Sequence, residues 1–203
     1  MTLLELRRRA EQAGITIEKR RVSIWGPTLR ARMKVLPHLS LAEIFAHPDQ
    51  TQEMKTFRYG HLLEPGVAID EIAAWRKRWP KHALPADLEE LLLEVNGIHL
   101  WADLDRRRSY IGVGVAPMAE WVDAGTTWWA DFLDPRPEAS VVISYSVDGN
   151  GGIVLDTRSG AYRWFDWMDL DHPKIIGHSV VELLDWLWDE NRLFGCRPMG
   201  NLT

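Results

Sequence analysis

The chain has 203 residues, of which 46% are hydrophobic and 26% are charged. These fractions are near the globular average, and they exclude wholesale disorder and collagen-like or coiled-coil construction. Lys and Arg number 24 against 29 Asp and Glu, so the formal net charge is -5. A general nucleic-acid binder needs a basic excess, so nucleic acid is not an expected partner.

The first 67 residues are predicted to form an N-terminal extension or subdomain of α/β character. A short amphipathic helix stopped by a glycine is indicated by residues at helical spacing: Leu3, Leu6, Ala10, Ala13 and Gly14. Alternating residues from 15 to 25 predict a strand or hairpin. The proline-rich residues 26–66 contain one short helical candidate at 40–46, where Ser40 and Glu43 match a capping box.

Residues 68–203 are predicted to form a second domain in which helices pack around a sheet. Helices are expected at 69–79, 84–95, 117–124 and 179–189, and strands at 110–115, 141–147, 152–156 and 161–167. Asn96-Gly97 is expected to stop the second of these helices, and Ser179 with Glu182 is expected to cap the last one. Helices first, strands later and a terminal helix predict an α+β fold with a mixed, mainly antiparallel sheet.

Cysteine usage and the N-terminal residues indicate the compartment. The single cysteine, Cys196, can form no internal disulfide, which fits a reducing environment. Charged residues interrupt the apolar residues among the first nine positions, and no cleavage site follows. No signal peptide is therefore expected. No apolar run approaches the roughly 20 residues that span a bilayer. We therefore expect a cytoplasmic protein that does not associate with a membrane.

No constellation for catalysis, metal binding or cofactor binding can be singled out. The seven His residues show no ligand spacing on a helix, and no acid-base pair of carboxylates stands out. Ser179 lies in half of a nucleophile-elbow pattern, but Val181 occupies the position of the closing glycine. We therefore expect a protein that is not an enzyme and that uses no metal and no cofactor.

Trp is the most unusual residue count, at 11, and several of these residues lie among carboxylates. Acidic and aromatic residues interleave at 120–134 and again at 164–171. Two interpretations remain open: the rings are core and the acids are their solvated neighbours, or both form a recognition patch for a partner rich in Lys and Arg. The second interpretation gives these candidate partner-binding residues: Trp121, Asp123, Trp128, Trp129, Asp131, Asp166, Trp167 and Asp169.

The charge is distributed unevenly along the chain. Residues 1–60 hold 11 Lys and Arg against 6 Asp and Glu, a net charge of +5, whereas residues 61–203 hold 13 against 23, a net charge of -10. This asymmetry indicates either two differently solvated faces or an acidic surface offered to a basic partner.

Three segments resemble the SUKH superfamily, the homology group of the Smi/Knr cell-wall regulators and many bacterial immunity proteins. Residues 75–97 contain a helix, then Leu84-Pro85, an acidic apolar helix and Asn96-Gly97. Residues 142–156 resemble the central hairpin of the family, around Asp148-Gly149-Asn150-Gly151-Gly152. Residues 179–188 resemble its closing helix. The resemblance covers about residues 68–190, some 60% of the chain.

The resemblance implies a SUKH-like α+β domain that binds proteins and has no catalytic residues. It implies an immunity protein that neutralises a cognate bacterial toxin or effector. Together with the acidic, Trp-bearing runs, this leads us to expect that the protein binds a basic active-site surface of the toxin and occludes that site. An intracellular scaffold or regulatory protein-binding module of the same fold is the alternative. An enzyme with an unrecognised site is the third hypothesis.

Overall fold

The computed structural model describes residues 1–26, 48, 50–105, 108–109, 114–127, 130, 138–145, 151–166 and 169–193. Within these ranges the chain forms four α-helices and nine strands, and all strand pairs with a described register are antiparallel. The predicted α+β fold class is therefore confirmed. The elements in chain order are α1 (Leu3–Ala13), β1 (Thr16–Trp25), β2 (Gln50–Pro65), α2 (Ile69–Arg78), α3 (Ala86–Glu94), β3 (Val95–Asp103), β4 (Arg108–Ser109), β5 (Val122–Asp123), β6 (Ser140–Tyr145), β7 (Gly151–Asp156), β8 (Ala161–Asp166), β9 (Asp169–Gly177) and α4 (Val180–Leu193).

The chain divides into two compact units, and the division differs from the predicted boundary at residue 67. The larger unit consists of Met1–Thr16 and Tyr59–Thr203, and the smaller unit is Ile17–Arg58. Helix α1 belongs to the larger unit because its Leu6 is fully buried in the same core as α3 and α4. In the smaller unit, β1 lies beside β2, and the Arg20 guanidinium stacks 4.3 Å from the centre of the Phe57 ring.

The larger unit contains two sheets. In one, the Tyr59–Pro65 part of β2 pairs with β3, and β3 pairs with β4. The other has the strand order β5-β6-β7-β8-β9, so β5 and β9 lie at its two edges among the described strands. The strands predicted at 141–147, 152–156 and 161–167 are confirmed as β6, β7 and β8. The sheet thus places the chain around Asp123 at one edge and the chain from Asp169 onward at the other.

Both faces of the five-stranded sheet are covered, which explains the continuous apolar runs in its central strands. Ile153 and Leu155 of β7 point into the main core, whereas Val154 points into a smaller cluster on the opposite face. The main core also takes in fully buried helix residues, which are Leu6, Leu88, Leu92, Leu183, Leu184 and Leu187. Because the strands are anchored on both sides, the sheet is a rigid base for the surface that its edges carry.

Two of the three predicted helix-end signals are confirmed. Gly14, with φ +63°, ends α1, and the Ser179 and Glu182 side chains form the predicted capping box of α4. The prediction that Asn96-Gly97 stops α3 is wrong. The chain enters β3 directly at Val95, and the Asn96 side chain accepts a hydrogen bond from the Met118 N–H at 2.8 Å.

The helix predicted at 117–124 is also wrong. Two short 3-10 turns, Met118–Glu120 and Ala124–Thr126, lie on either side of β5. The helix at 40–46 and most of the strand at 110–115 fall outside the described residues, although Val115 forms an isolated bridge with Ile98. Within the described ranges, no helix combines the length and the apolar character needed to cross a membrane.

Candidate functional site

A cleft of about 350 Å³ lies just beyond the C-terminal end of α2. One residue of its lining, Asp123, comes from β5 and belongs to the predicted partner-binding set. The others follow one another along the chain where α2 ends: Arg78, Trp79, Pro80, Lys81 and His82. The cleft is therefore built where the end of a helix meets the edge strand of the five-stranded sheet.

A cluster of packed indoles supports Trp79, the one indole that lines this cleft among the described residues. Trp79 lies parallel to Trp75, with ring centres 5.8 Å apart, and Trp75 meets the Trp121 ring edge-on at 6.2 Å. Trp75 and Trp121 belong to the main core, while Trp79 packs against that core from the surface. An aromatic side chain supported in this way offers a fixed apolar face at little further entropic cost.

Trp121 is a core residue, so the predicted role of this side chain as an exposed docking anchor does not fit its position. Only 2% of its surface is accessible, and its indole N–H donates a 2.8 Å hydrogen bond to the Ala116 carbonyl oxygen. Both the ring and its polar edge are therefore used inside the fold. For this residue the structure supports the other interpretation of the acid-aromatic run, in which the ring is core.

His82 is held between a hydroxyl and a carboxylate. Its Nδ1 lies 3.4 Å from Thr157 Oγ1, and its Nε2 lies 3.3 Å from Asp123 Oδ2. The Thr157 hydroxyl donates its proton to the Ala139 carbonyl oxygen at 2.6 Å, which leaves the oxygen of that hydroxyl facing the His82 ring. The other Asp123 oxygen accepts from the Gly125 N–H at 2.8 Å. Each polar group of this chain of contacts is directed at a partner within the fold.

The residue types Asp123, His82 and Thr157 are those of a nucleophilic triad, but their arrangement does not prepare an attack. The Thr157 hydroxyl points its proton at a main-chain carbonyl rather than at the imidazole. His82 and Thr157 are 7% and 9% exposed, so most of each side chain is covered by the fold. The physical effect of the arrangement is to fix the loop after α2 against β5.

The predicted residues Asp166 and Asp169 are brought together where β8 ends and β9 begins, at the turn end of the β8–β9 hairpin. They are register partners across the two strands, and the Asp166 side chain is exposed. The remaining members of the predicted set lie outside the described residues: Trp128, Trp129, Asp131 and Trp167.

Asp123 does not join this acidic pair. Strand β5 is three positions away from β8 in the sheet, about 14 Å at the usual strand spacing. Through β6 and β7, Asp123 is in register with Tyr162 of β8. Asp166 lies four residues beyond Tyr162 along β8, a further displacement of about 13 Å. The predicted set is thus divided between two places about 20 Å apart.

Sequence reasoning missed the basic and aromatic side of the cleft, although one signal was available. Residues 72–86 contain four Lys and Arg and no Asp or Glu, within a part of the chain that is otherwise strongly acidic. Arg78, Trp79 and Lys81 all lie in this window. Their alternation with apolar helix residues made them look like the solvated end of an ordinary helix.

Within the described residues, no group of three His, Cys, Asp or Glu side chains is arranged to hold a metal ion. No protein-family model matches the chain, and no curated protein matches it either.

Proposed function

We propose that this protein is an immunity protein, which binds a cognate bacterial toxin or effector and neutralises it by covering its active site. The order of helix, hairpin and closing-helix landmarks between residues 68 and 190, which resembles the SUKH superfamily, supports a toxin as the partner. The observation that carries the binding role is the cleft at the end of α2. It presents Trp79 and Arg78 on a rigid base, with His82 and Asp123 already held by the fold.

The cleft has the composition of an interface hot spot. Trp and Arg are enriched among the residues that contribute most to protein association, and they act best from well-packed positions. The Arg78 guanidinium lies 5.6 Å from the centre of the Trp79 ring, and Trp79 stacks on buried Trp75. Because these groups are ordered before the partner arrives, less conformational entropy is lost on binding.

The acidic pair at the end of β8–β9 supplies the second contact of the proposal. Asp166 and Asp169 would pair with Lys or Arg at the active site of the toxin, in the place of acidic substrate groups. A standard interface covers about 800 Å² on each partner, a patch about 30 Å across. The cleft and the acidic pair, about 20 Å apart, fit within one such patch.

The test is protection from, and binding to, the protein encoded by the neighbouring reading frame. Co-expression should restore growth of cells that make that protein, and the two purified proteins should associate in the nanomolar range or below. The Asp166→Asn, Asp169→Asn double variant should weaken association by about tenfold or more.

The matched control removes two exposed carboxylates from other elements, Glu11→Gln on α1 and Glu90→Gln on α3. This control variant should bind like the parent protein. Equal affinities for all three proteins would reject the acidic surface. If the parent protein neither bound the neighbouring product nor protected cells from it, the immunity function would be rejected. Specific capture of several unrelated proteins, with no binding to the neighbouring product, would instead identify the scaffold alternative.

A further inference from the structure

The cleft at the end of α2 lies in a basic segment of an acidic protein. Residues 61–203 carry a net charge of -10, yet residues 72–86 hold four cationic side chains and no carboxylate. One of these cations, Arg76, forms an ion pair with Glu89 of α3. The other three, Lys77, Arg78 and Lys81, are exposed and form no ion pair with any described residue.

The one carboxylate that lines the cleft is already engaged by other groups. Asp123 Oδ2 faces His82 Nε2 at 3.3 Å, and Asp123 Oδ1 accepts from the Gly125 N–H. It is therefore not paired with Arg78 or Lys81. The cleft offers a partner two uncompensated cations beside an indole face, rather than a neutral or acidic surface.

A structural role at the helix end accounts for part of this charge but not for all of it. Cations in the last turn stabilise the negative end of a helix dipole, and Arg76, Lys77 and Arg78 all occupy that turn. Lys81 lies beyond the helix, and the Arg78 guanidinium is oriented over Trp79 instead of remaining free in solvent. Only Arg78 and Lys81 of these cations line the cleft.

We propose that this cleft binds an acidic side chain of the partner protein, a Glu or Asp that follows an apolar or aromatic residue. The carboxylate would accept hydrogen bonds from the Arg78 guanidinium and the Lys81 ammonium, and the apolar residue would lie on Trp79. This inference rests on the proposed function, since it names the chemistry of one partner contact.

The consequence is an interface with both signs of charge on each side. An acidic surface alone attracts a basic toxin but leaves its orientation poorly defined. A basic cleft about 20 Å from the acidic pair at Asp166 and Asp169 favours one orientation, because the reversed complex would bring like charges together.

A peptide titration tests the cleft without the partner. The probe is a capped pentapeptide, Gly-Phe-Glu-Glu-Gly, and its neutral counterpart is Gly-Phe-Gln-Gln-Gly. Binding is followed by NMR on the indole N–H signal of Trp79, assigned by its loss in Trp79→Phe. We expect the acidic peptide to shift this signal saturably and the neutral peptide to leave it unchanged.

Charge-removing variants then locate the binding groups. Arg78→Gln and Lys81→Gln should each weaken peptide binding by about threefold to fivefold, a typical loss for one exposed charge pair. Lys77→Gln removes the same charge from the same helix turn but does not line the cleft, so it should change binding less than twofold. An equal effect of Lys77→Gln would mean that net charge alone attracts the peptide, and the cleft assignment would fail.

Inorganic phosphate at the same concentration provides the third arm of the titration. A phosphate response as strong as the peptide response would identify a general anion site and overturn the assignment to an acidic side chain. With the toxin, the Arg78→Gln, Lys81→Gln double variant should lose about tenfold in affinity. Full affinity of this variant would reject the inference and leave the proposed function standing, whereas a parent protein that does not bind the toxin would reject the function itself.

Discussion

Tyr162 carries a hydroxyl group that is buried in the core. The side chain is fully buried in β8, and no described residue bonds to its oxygen. Burial, with a smaller contribution from the Asp87 carboxylate, raises the pKa of Tyr162. Because an unsatisfied polar group in a core costs about 1–3 kcal/mol, Tyr162→Phe should leave the stability unchanged or raise it.

Chemical unfolding in urea measures this change, with Tyr162→Ala as the comparison. Removal of the whole ring should lower the free energy of unfolding by about 3–5 kcal/mol, since it opens a cavity in the core. A loss of more than about 1 kcal/mol in Tyr162→Phe would show that the hydroxyl has a stabilising partner.

His61 should make the stability depend on pH. The imidazole lies 4.5 Å from the Trp101 ring and 5.4 Å from the Trp188 ring, and its Nδ1 accepts a hydrogen bond from the Trp101 N–H. Burial lowers the pKa of His61 from 6.5 to about 4. Between these values the unfolded chain binds a proton that the folded chain does not, so the free energy of unfolding should fall as the pH is lowered from 6.5 to 4.

Urea unfolding at several pH values between 7.5 and 4 measures this slope. The part of this slope that is due to His61 should stay below about 1.4 kcal/mol per pH unit, because one imidazole takes up at most one proton. His61→Gln should flatten the slope in this interval. Identical slopes in the parent protein and His61→Gln would contradict the assignment.

Among the connections between elements, the one from β2 to α2 brings Gly66 against the end of α3. A Cβ atom at residue 66 would collide with the main-chain carbonyl of Leu93, and the next residue, Val67, hydrogen-bonds to the Leu92 carbonyl oxygen at 2.9 Å. Backbone cannot move aside as a flexible side chain can. Gly66→Ala should therefore destabilise the protein by about 2–3 kcal/mol.

Gly14 provides the matched comparison for this prediction. It also lies at a helix end, with φ +63°, but no atom lies within 4 Å of its added Cβ. Gly14→Ala should cost about 1–3 kcal/mol of backbone strain, because φ +63° with ψ -156° is a region that only glycine readily adopts. The two losses therefore have different causes, and thermal unfolding measures both. A Gly66→Ala variant as stable as the parent protein would show that crowding at Gly66 is relieved elsewhere.

The helices and the central strands could be predicted because their signals are local. Apolar residues at helical spacing mark α1 to α4, and continuous apolar runs mark β6 and β7. Strand β9 gave no such signal, since it contains Asp169, Asp171 and Pro173, residue types that are rare in strands. It is tolerated because it lies at a sheet edge among the described strands, where a proline leaves no pairing unmet on its outer side.

The candidate site could be predicted only in part, because it depends on contacts between distant segments. Acid-aromatic alternation pointed to Asp123, but nothing in the pattern indicates that His82 lies 3.3 Å from it. The same alternation suggested an exposed Trp121, whose ring instead meets Trp75 of α2. Local sequence identifies which residues are unusual, whereas the sheet order decides which of them meet.

At the scale of the whole molecule, net charge and local charge should act on different steps of toxin binding. Encounter depends on the total charge, which is -5, whereas the lifetime of the complex depends on the contacts made within it. Removing the cations of the cleft makes the protein more negative. This change should favour encounter with a basic partner and at the same time weaken the complex.

The Arg78→Gln, Lys81→Gln variant should therefore associate with the toxin at least as fast as the parent protein and dissociate about tenfold faster. Asp166→Asn with Asp169→Asn should slow association and reduce its dependence on salt, since it removes attraction from a surface near the contact. Surface plasmon resonance between about 50 and 500 mM salt resolves both rates. The control variant with Glu11→Gln and Glu90→Gln has the same net charge as the Asp166, Asp169 variant. If the association rates of these two variants fall equally, total charge alone steers encounter, and the position of the acidic pair does not affect it.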